Sequence, residues 1–251
     1  MRVGLVGYGR AGRAVAEVLA RAEGLQLQWV ARRTAKPGRT AVDEEGGPAL
    51  VGLDRMPFER LLEEQPVDAL VDFSSAATVY EYGDAVRQRG ITLVTAISAY
   101  DDAALAYLRA LGAHCRVLSS PNITLGINFL MLAANMLRNI APFADVQILE
   151  QHFREKPEIS GTARKIAQQL GLGNEQLTSM RLGGIVGHHE VIFGFPHQTV
   201  RLIHESIDRR AFGTGAVFAL RELAQRPVGF YTYDQLLLKI AHEQLVRLST
   251  E

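Results

Sequence analysis

The chain has 251 residues, enough for one large domain or two small ones. At 47% hydrophobic and 22% charged it has the composition of an ordinary globular protein, and no apolar stretch reaches membrane-spanning length. Lys+Arg and Asp+Glu both number 27, so no global field selects nucleic acid or an anionic membrane surface.

Val3-Gly4-Leu5-Val6 reads as a buried parallel strand, and the chain begins directly with it. That leaves no room for a signal peptide, and the expected location is the cytoplasm. Gly7-Tyr8-Gly9-Arg10-Ala11-Gly12 follows at once, and Ala14, Val15, Val18 and Leu19 then recur at helical spacing. This is G-x-G-x-x-G between a strand and a helix. Glycine is needed there for the tight turn, for approach of the backbone to a pyrophosphate, and for helix–strand packing. Leu25 to Ala31 is the second strand. A dinucleotide site places its ribose discriminator at this strand's end, and an NAD site tends to carry Asp or Glu. Here the chain reads Arg32-Arg33-Thr34. Two guanidiniums suit a 2′-phosphate, which favours NADP over NAD.

Residues 36 to 50 are turn-rich and read as irregular. Val67 to Phe73, Ile91 to Thr95 and His114 to Leu118 are apolar strands, with helices expected over Ala76 to Arg89 and Asp101 to Leu111. Alternating strands and helices predict a Rossmann-type, doubly wound parallel α/β sheet. Ligands in such sheets bind beyond the carboxyl ends of the strands, where Ser74, Ser98 and Asn122 would line up with the glycine loop. Cys115 is the only cysteine, which excludes an internal disulfide and a cysteine zinc site.

Thr124 to Ile140 reads as a long, very apolar helix that should be buried between domains or subunits. Val146 and Ile148 then lead a strand into His152, Arg154 and Lys156, which alternation would place on one strand face. Ser160-Gly161-Thr162 opens a helix to Leu170, and a helix start is an anion site. Arg181 to Phe195 and Gln198 to Ile207 predict an antiparallel pair closed near Phe195-Pro196-His197. With no parallel-type repeat here, this block reads as a second, α+β domain on a mixed or antiparallel sheet. Helices over Arg209 to Leu223 and Tyr231 to Leu248 close the chain. The expected division is 1–123 plus 210–251 for dinucleotide binding and 124–209 for substrate binding and oligomerisation. His188 and His189 are adjacent and so face opposite sides of a strand, which makes a poor chelating pair; no metal is expected.

Several ordered stretches together resemble the dihydrodipicolinate reductase (4-hydroxy-tetrahydrodipicolinate reductase) family of lysine and diaminopimelate synthesis. Ser120-Pro121-Asn122-Ile123-Thr124-Leu125-Gly126-Ile127-Asn128 is similar to the family's P-N-x-S-x-G-x-N. Arg181 through Gly187 with His189 is similar to R-x-G-x-I-V-G-x-H, and Glu150 through Ala163 resembles E-x-H-H-x-x-K-x-D-x-P-S-G-T-A. Leu202 and His204 through Arg209, with Phe212 and Gly215-Ala216, resemble the family's ending.

The resemblance implies hydride transfer from a nicotinamide to the conjugated imine of a cyclic dicarboxylate, in a homo-oligomer, tetramer or dimer. Under it His152 is the proton donor and acceptor and Lys156 the second proton donor. Phe153, Ser160, Gly161, Thr162 and Arg209 form the substrate set. Gly7, Tyr8, Gly9, Arg10, Ala11, Gly12, Arg32, Arg33, Ala96, Ile97, Ser98, Ser120, Pro121, Asn122 and Ile123 form the cofactor set. Four departures fall on these stretches. Phe153 replaces the family's second histidine. Glu158-Ile159 stands for D-x-P with one residue deleted. Ala96-Ile97-Ser98-Ala99 replaces G-T-T-G. The glycine loop is one residue shorter. Two other readings stay open: a paralogue that reduces a different imine or oxidises an amino acid, and an NADP-binding protein with little catalysis.

Overall fold

A computed structural model describes residues 1–42 and 47–248. The chain divides into two compact units, Met1–Thr124 with Arg209–Ile240, and Leu125–Asp208 with the residues from Ala241 onward.

The first unit runs β1 (Arg2–Val6), α1 (Arg10–Arg21), β2 (Gln26–Arg32), β3 (Ala49–Gly52), α2 (Phe58–Glu64), β4 (Ala69–Asp72), α3 (Val79–Arg89), β5 (Thr92–Thr95), α4 (Asp102–Leu111) and β6 (Arg116–Ser119). In the second unit follow α5 (Leu125–Ile140), β7 (Asp145–His152), α6 (Gly161–Leu170), β8 (Leu177–Arg181), β9 (His188–Phe195) and β10 (Gln198–Glu205). Then come α7 (Arg210–Ala224), β11 (Gly229–Tyr231) and α8 (Tyr233–Leu248).

The first unit's seven-stranded sheet has the order β11-β6-β5-β4-β1-β2-β3, all pairs parallel. From β1 the chain builds outward through β2 and β3, then returns to the other side of β1 with β4. The strand order therefore reverses between β1 and β4, and a crevice opens at such a point. Val3, Leu5, Leu70, Val71, Leu93 and Val94 are fully buried, as strands covered on both faces require. Trp29 is also fully buried and satisfies its indole N–H on Gln65 O at 3.0 Å. On α1, Val15, Ala16 and Leu19 form the buried stripe. Burying a side chain the size of valine or leucine is worth about 1.5–3 kcal/mol.

The second unit's sheet has the order β10-β9-β7-β8. β7 is antiparallel to β9 and parallel to β8. Along β7, Val146, Ile148, Glu150 and His152 are buried in alternation, and the first two join Val191 and Phe193 in a core with Ile127, Leu130, Ile166 and Leu170. Phe129 and Ile140 on the other side of α5 are exposed in the single chain. β9 and β10 form the expected hairpin, turned at Pro196-His197 with His197 at φ 65.

The Rossmann-type sheet and the second mixed sheet are as the sequence predicts, with five local corrections. β3, a four-residue edge strand, begins at Ala49 inside the stretch 36–50 that was expected to be irregular; residues 43–46 of that stretch lie outside the described residues. A helix, α2, stands where none was expected, and burial of Phe58, Leu61 and Leu62 holds it. The closing helix starts at Tyr233, because Tyr231 belongs to β11 beside β6. The segment from Leu182 to Gly187 is a turn and not strand, while Leu177–Arg181 supplies a parallel neighbour for β7. Finally, β7 stops at His152. Arg154 N bonds Gly183 O at 3.0 Å and Lys156 N bonds Phe153 O at 3.1 Å, so the chain turns and the three basic residues do not share a strand face.

Candidate active site

In the first unit a cleft of about 400 Å³ opens at the reversal point of the sheet. Gly7, Tyr8 and Gly9 after β1, Arg32 and Arg33 at the end of β2, and Ser74 and Ser75 after β4 line it. Gly7 sits at φ +96, a left-handed conformation, and its N–H bonds Ala31 O at 2.8 Å. A Cβ on Gly12 would lie 2.1 Å from Gly7 O, so the first turn of α1 can close on the loop only with glycine there. No atom lies within 4 Å of a Cβ placed on Gly9, which leaves the face open for a pyrophosphate. These features fit a dinucleotide.

Beneath the cleft, the buried Asp72 accepts from Ser74 N (2.8 Å), Ser74 Oγ (2.5 Å) and Tyr82 Oη (2.6 Å), which fixes the chain as it leaves β4. Of the remaining residues expected to bind cofactor, Arg10, Ala11 and Gly12 lie in the first turn of α1 and do not line the cleft. Ala96, Ile97 and Ser98 follow β5, and Ser120, Pro121, Asn122 and Ile123 follow β6. They stand at the same carboxyl edge but outside the cleft's lining. Ser120 Oγ donates to Asn122 O at 2.7 Å.

In the second unit the candidate residues gather where β7 ends and α6 begins. His152 is buried, and its Nδ1 lies 2.5 Å from Glu150 Oε2. The opposing carboxylate only accepts when ionised, so Nδ1 carries the proton and Nε2 is the nitrogen presented. A Cβ on Gly187 would lie 3.3 Å from Nε2; glycine keeps that side clear. Glu150 is fully buried and accepts from Ser179 Oγ (2.6 Å), Ser160 N (3.2 Å) and both terminal nitrogens of Arg181 (3.0 and 3.1 Å). Burial alone would raise its carboxyl, but the bonds from Arg181, Ser179 and His152 overcome that and bring it to about 2. For His152 burial lowers the pKa, the bond to Glu150 opposes, and the charges of Lys156 and Arg181 lower it further.

Ser160 caps α6, its Oγ accepting from Ala163 N at 3.4 Å and meeting His189 Nε2 at 2.8 Å. Its side chain is thus built into the helix start, while Gly161 is exposed and Thr162 half-buried at the first turn. His189 packs edge-on against His152, ring centroids 5.3 Å apart, and burial pushes it down to about 3. Phe153 and Lys156 are half-buried on the turn after β7. Arg209 is exposed in the first unit, one residue before α7. Glu150, Ser179, Arg181, His189 and Gly187 were not among the site residues expected from sequence, although Glu150 lies in phase with the buried positions of β7. His188 and His189 do point apart, to Glu205 and Ser160. Among the described residues, no group of three or more His, Cys, Asp and Glu could hold a metal ion, and no helix is long and apolar enough to cross a membrane.

A glycine-turned crevice at a sheet reversal, joined in one chain to a second mixed-sheet unit, defines the class: a pyridine-nucleotide oxidoreductase of Rossmann type. Comparison with known proteins gives the particular family. Dihydrodipicolinate reductase, N-terminus, matches residues 1–123 and dihydrodipicolinate reductase, C-terminus, matches 123–237. The chain belongs to the dihydrodipicolinate reductase family. It is 30% identical to 4-hydroxy-tetrahydrodipicolinate reductase of Gluconobacter oxydans over 83% of this chain and 95% of that one. It is also 30% identical to the Laribacter hongkongensis enzyme of that name, over 92% and 96%. Its fold is similar to dipicolinate-bound dihydrodipicolinate reductase from Paenisporosarcina sp. TG-14, with TM-score 0.77 at 21% identity over 92% of this chain and 97% of that one.

Proposed function

We propose that the chain is an NADPH-dependent reductase that delivers hydride to the conjugated imine of a cyclic dicarboxylate, in diaminopimelate and lysine synthesis. One observation carries the chemistry: a buried imidazole held by Nδ1 on an ionised carboxylate, directly before a turn bearing phenylalanine and lysine and beside a capped helix start. The nicotinamide supplies the hydride when bound. Its arrival leaves negative charge on the conjugated system, which must be protonated. As the imidazolium, protonated on both nitrogens, His152 gives that proton from Nε2 and keeps Nδ1–H on Glu150, ending as the neutral imidazole, and the Lys156 ammonium supports the developing charge electrostatically. The exposed start of α6 at Gly161 and Thr162 takes a substrate carboxylate. The relative from Paenisporosarcina is described with dipicolinate, a cyclic dicarboxylate of this kind.

NADPH is favoured because Arg32 and Arg33, both exposed, stand where an NAD site tends to carry Asp or Glu. Arg32 also borders a second recess with Lys36, Arg39 and Arg55, whose three cations outnumber the one carboxylate there, Asp54. In this proposal the first unit binds the dinucleotide, and the second binds substrate and forms the contacts of a cytoplasmic homo-oligomer, a tetramer or dimer. A paralogous activity on another imine is the second reading, favoured by Phe153, which cannot hydrogen-bond a carboxylate.

The deciding experiment follows NADPH absorbance with freshly generated dihydrodipicolinate beside a panel of cyclic imines. Turnover of the dicarboxylate at ordinary enzymatic rates, about 1–1000 per second, supports the first reading. Turnover of a monocarboxylate or uncharged imine alone replaces it with the second.

A further inference from the structure

Arg181 uses every N–H it has. Its Nε donates to Lys156 O at 3.0 Å. One terminal nitrogen donates to Glu150 Oε2 at 3.1 Å and Met180 O at 2.8 Å. The other donates to Glu150 Oε1 at 3.0 Å and Glu158 O at 2.6 Å. That accounts for all five donors of a guanidinium. The planar fork pairs with the Glu150 carboxylate on one edge while the rest of the group ties down the turn from Phe153 to Ile159. The parallel register of β7 and β8 sets this up, since His152 lies beside Arg181 and Glu150 beside Ser179.

We infer that Arg181 is the positioning residue for both groups that the proposed reduction uses: through Glu150 it fixes the orientation and charge of His152, and through Lys156 O it fixes the backbone that carries Lys156. The inference rests on the roles proposed above for those two residues. The physical argument has two halves. A lone buried carboxylate against Nδ1 would hold the imidazole as imidazolium, whereas a carboxylate already paired with a guanidinium leaves the imidazole free to give and regain its proton. The charged and titratable groups facing His152 are Glu150 on β7, Arg181 on β8, His189 on β9 and Lys156 on the turn, so removal of one charge has a defined sign. The second half is geometric. The turn is one residue shorter than in the resembled pattern, and two of its carbonyls end on the same guanidinium.

The test uses the full chain without ligand, with carbon-13-labelled histidine and His152→Gln to assign the resonance. Glu150→Gln lowers the His152 titration midpoint, and Arg181→Gln raises it. A merely structural arginine gives no such opposite pair. Arg181→Lys keeps the charge but not the fork. It leaves the midpoint near the native one, yet turnover with NADPH and dihydrodipicolinate falls about 100-fold, the order of loss for a catalytic group displaced by an ångström. Midpoints that move together or not at all, or native turnover in Arg181→Lys, overturn the inference. If Arg181→Gln does not fold, Glu150→Gln still decides the electrostatic half: a midpoint unchanged or raised refutes it. If the native protein does not reduce dihydrodipicolinate, the assigned activity falls, while the titrations still judge the positioning role.

Discussion

Gly9 and Gly12 belong to one motif but should fail differently when given a methyl group. In Gly12→Ala the new Cβ lies 2.1 Å from Gly7 O and 2.8 Å from Gly7 C, far inside the 3.5–4.0 Å of a good carbon contact. Gly7 cannot retreat. Its N–H is bonded to Ala31 O at 2.8 Å, and its other side rests on the backbone of Phe73. Overpacking of this kind costs about 1–3 kcal/mol, and at about 2–4 °C per kcal/mol for a chain of this size the melting temperature falls by several degrees. In Gly9→Ala the Cβ meets nothing within 4 Å, and φ −82, ψ −164 is extended backbone open to any residue. Its stability should stay within about 0.5 kcal/mol of native. The methyl group instead fills the space through which a pyrophosphate reaches the backbone. Losing one charge-assisted bond to phosphate, about 1.5–3 kcal/mol, weakens NADPH roughly tenfold to a hundredfold. Thermal melts and nucleotide fluorescence titrations on both variants separate the effects. Native NADPH affinity in Gly9→Ala would refute the placement of the pyrophosphate, and a native melting temperature in Gly12→Ala would refute the packing argument.

Arg33→Ala should weaken NADPH by about tenfold to a hundredfold and leave NADH unchanged; an unaltered ratio of the two dissociation constants counts against a 2′-phosphate at the end of β2. Phe153→His should raise turnover of dihydrodipicolinate, in part only, because it restores a hydrogen-bond donor beside the carboxylate without lengthening the turn; steady-state kinetics of both proteins with no gain in the variant would show the phenyl ring to be a neutral replacement. The burial of His189 holds its imidazole neutral down to about 3 while the unfolded chain takes up that proton near 6.5, so stability drops as pH falls through this window. His189→Gln removes up to about 1.4 kcal/mol per pH unit of that slope, which urea melts between these limits will measure; an identical slope would mean that the ring is protonated in the folded protein.

The sheet of the first unit was legible because its strands are continuous apolar runs and its first turn demands glycine. What escaped was short or sequence-distant. β3 and β11 have four and three residues, too few for any periodicity to show, and they exist by pairing with β2 and β6. α2 has seven residues and is held by three buried side chains more than by helix propensity. β8 carries three exposed residues in its middle and so offers no alternation; it is a strand because β7 lies beside it. The turn after His152 escaped for the same reason, since the bond of Arg154 N to Gly183 O reaches across to a distant segment.

The candidate-site residues divide along the same line. His152, Lys156 and the helix start at Ser160 stand close together in sequence, and their chemistry can be read there. Glu150 needed one further step. It alternates with Val146, Ile148 and His152, so it occupies a core position of β7, where an ionised carboxylate is costly unless a cation and several donors meet it. A core-phase glutamate two residues before a histidine therefore calls for a cation and hydrogen-bond donors around it, and strand alternation alone is enough to deduce that requirement. Which residue meets it does not follow from alternation. Arg181 lies 31 residues away from Glu150, and only the parallel register of β7 and β8 brings its guanidinium to the carboxylate. The sequence thus contains the electrostatic requirement, and the fold decides which residue meets it.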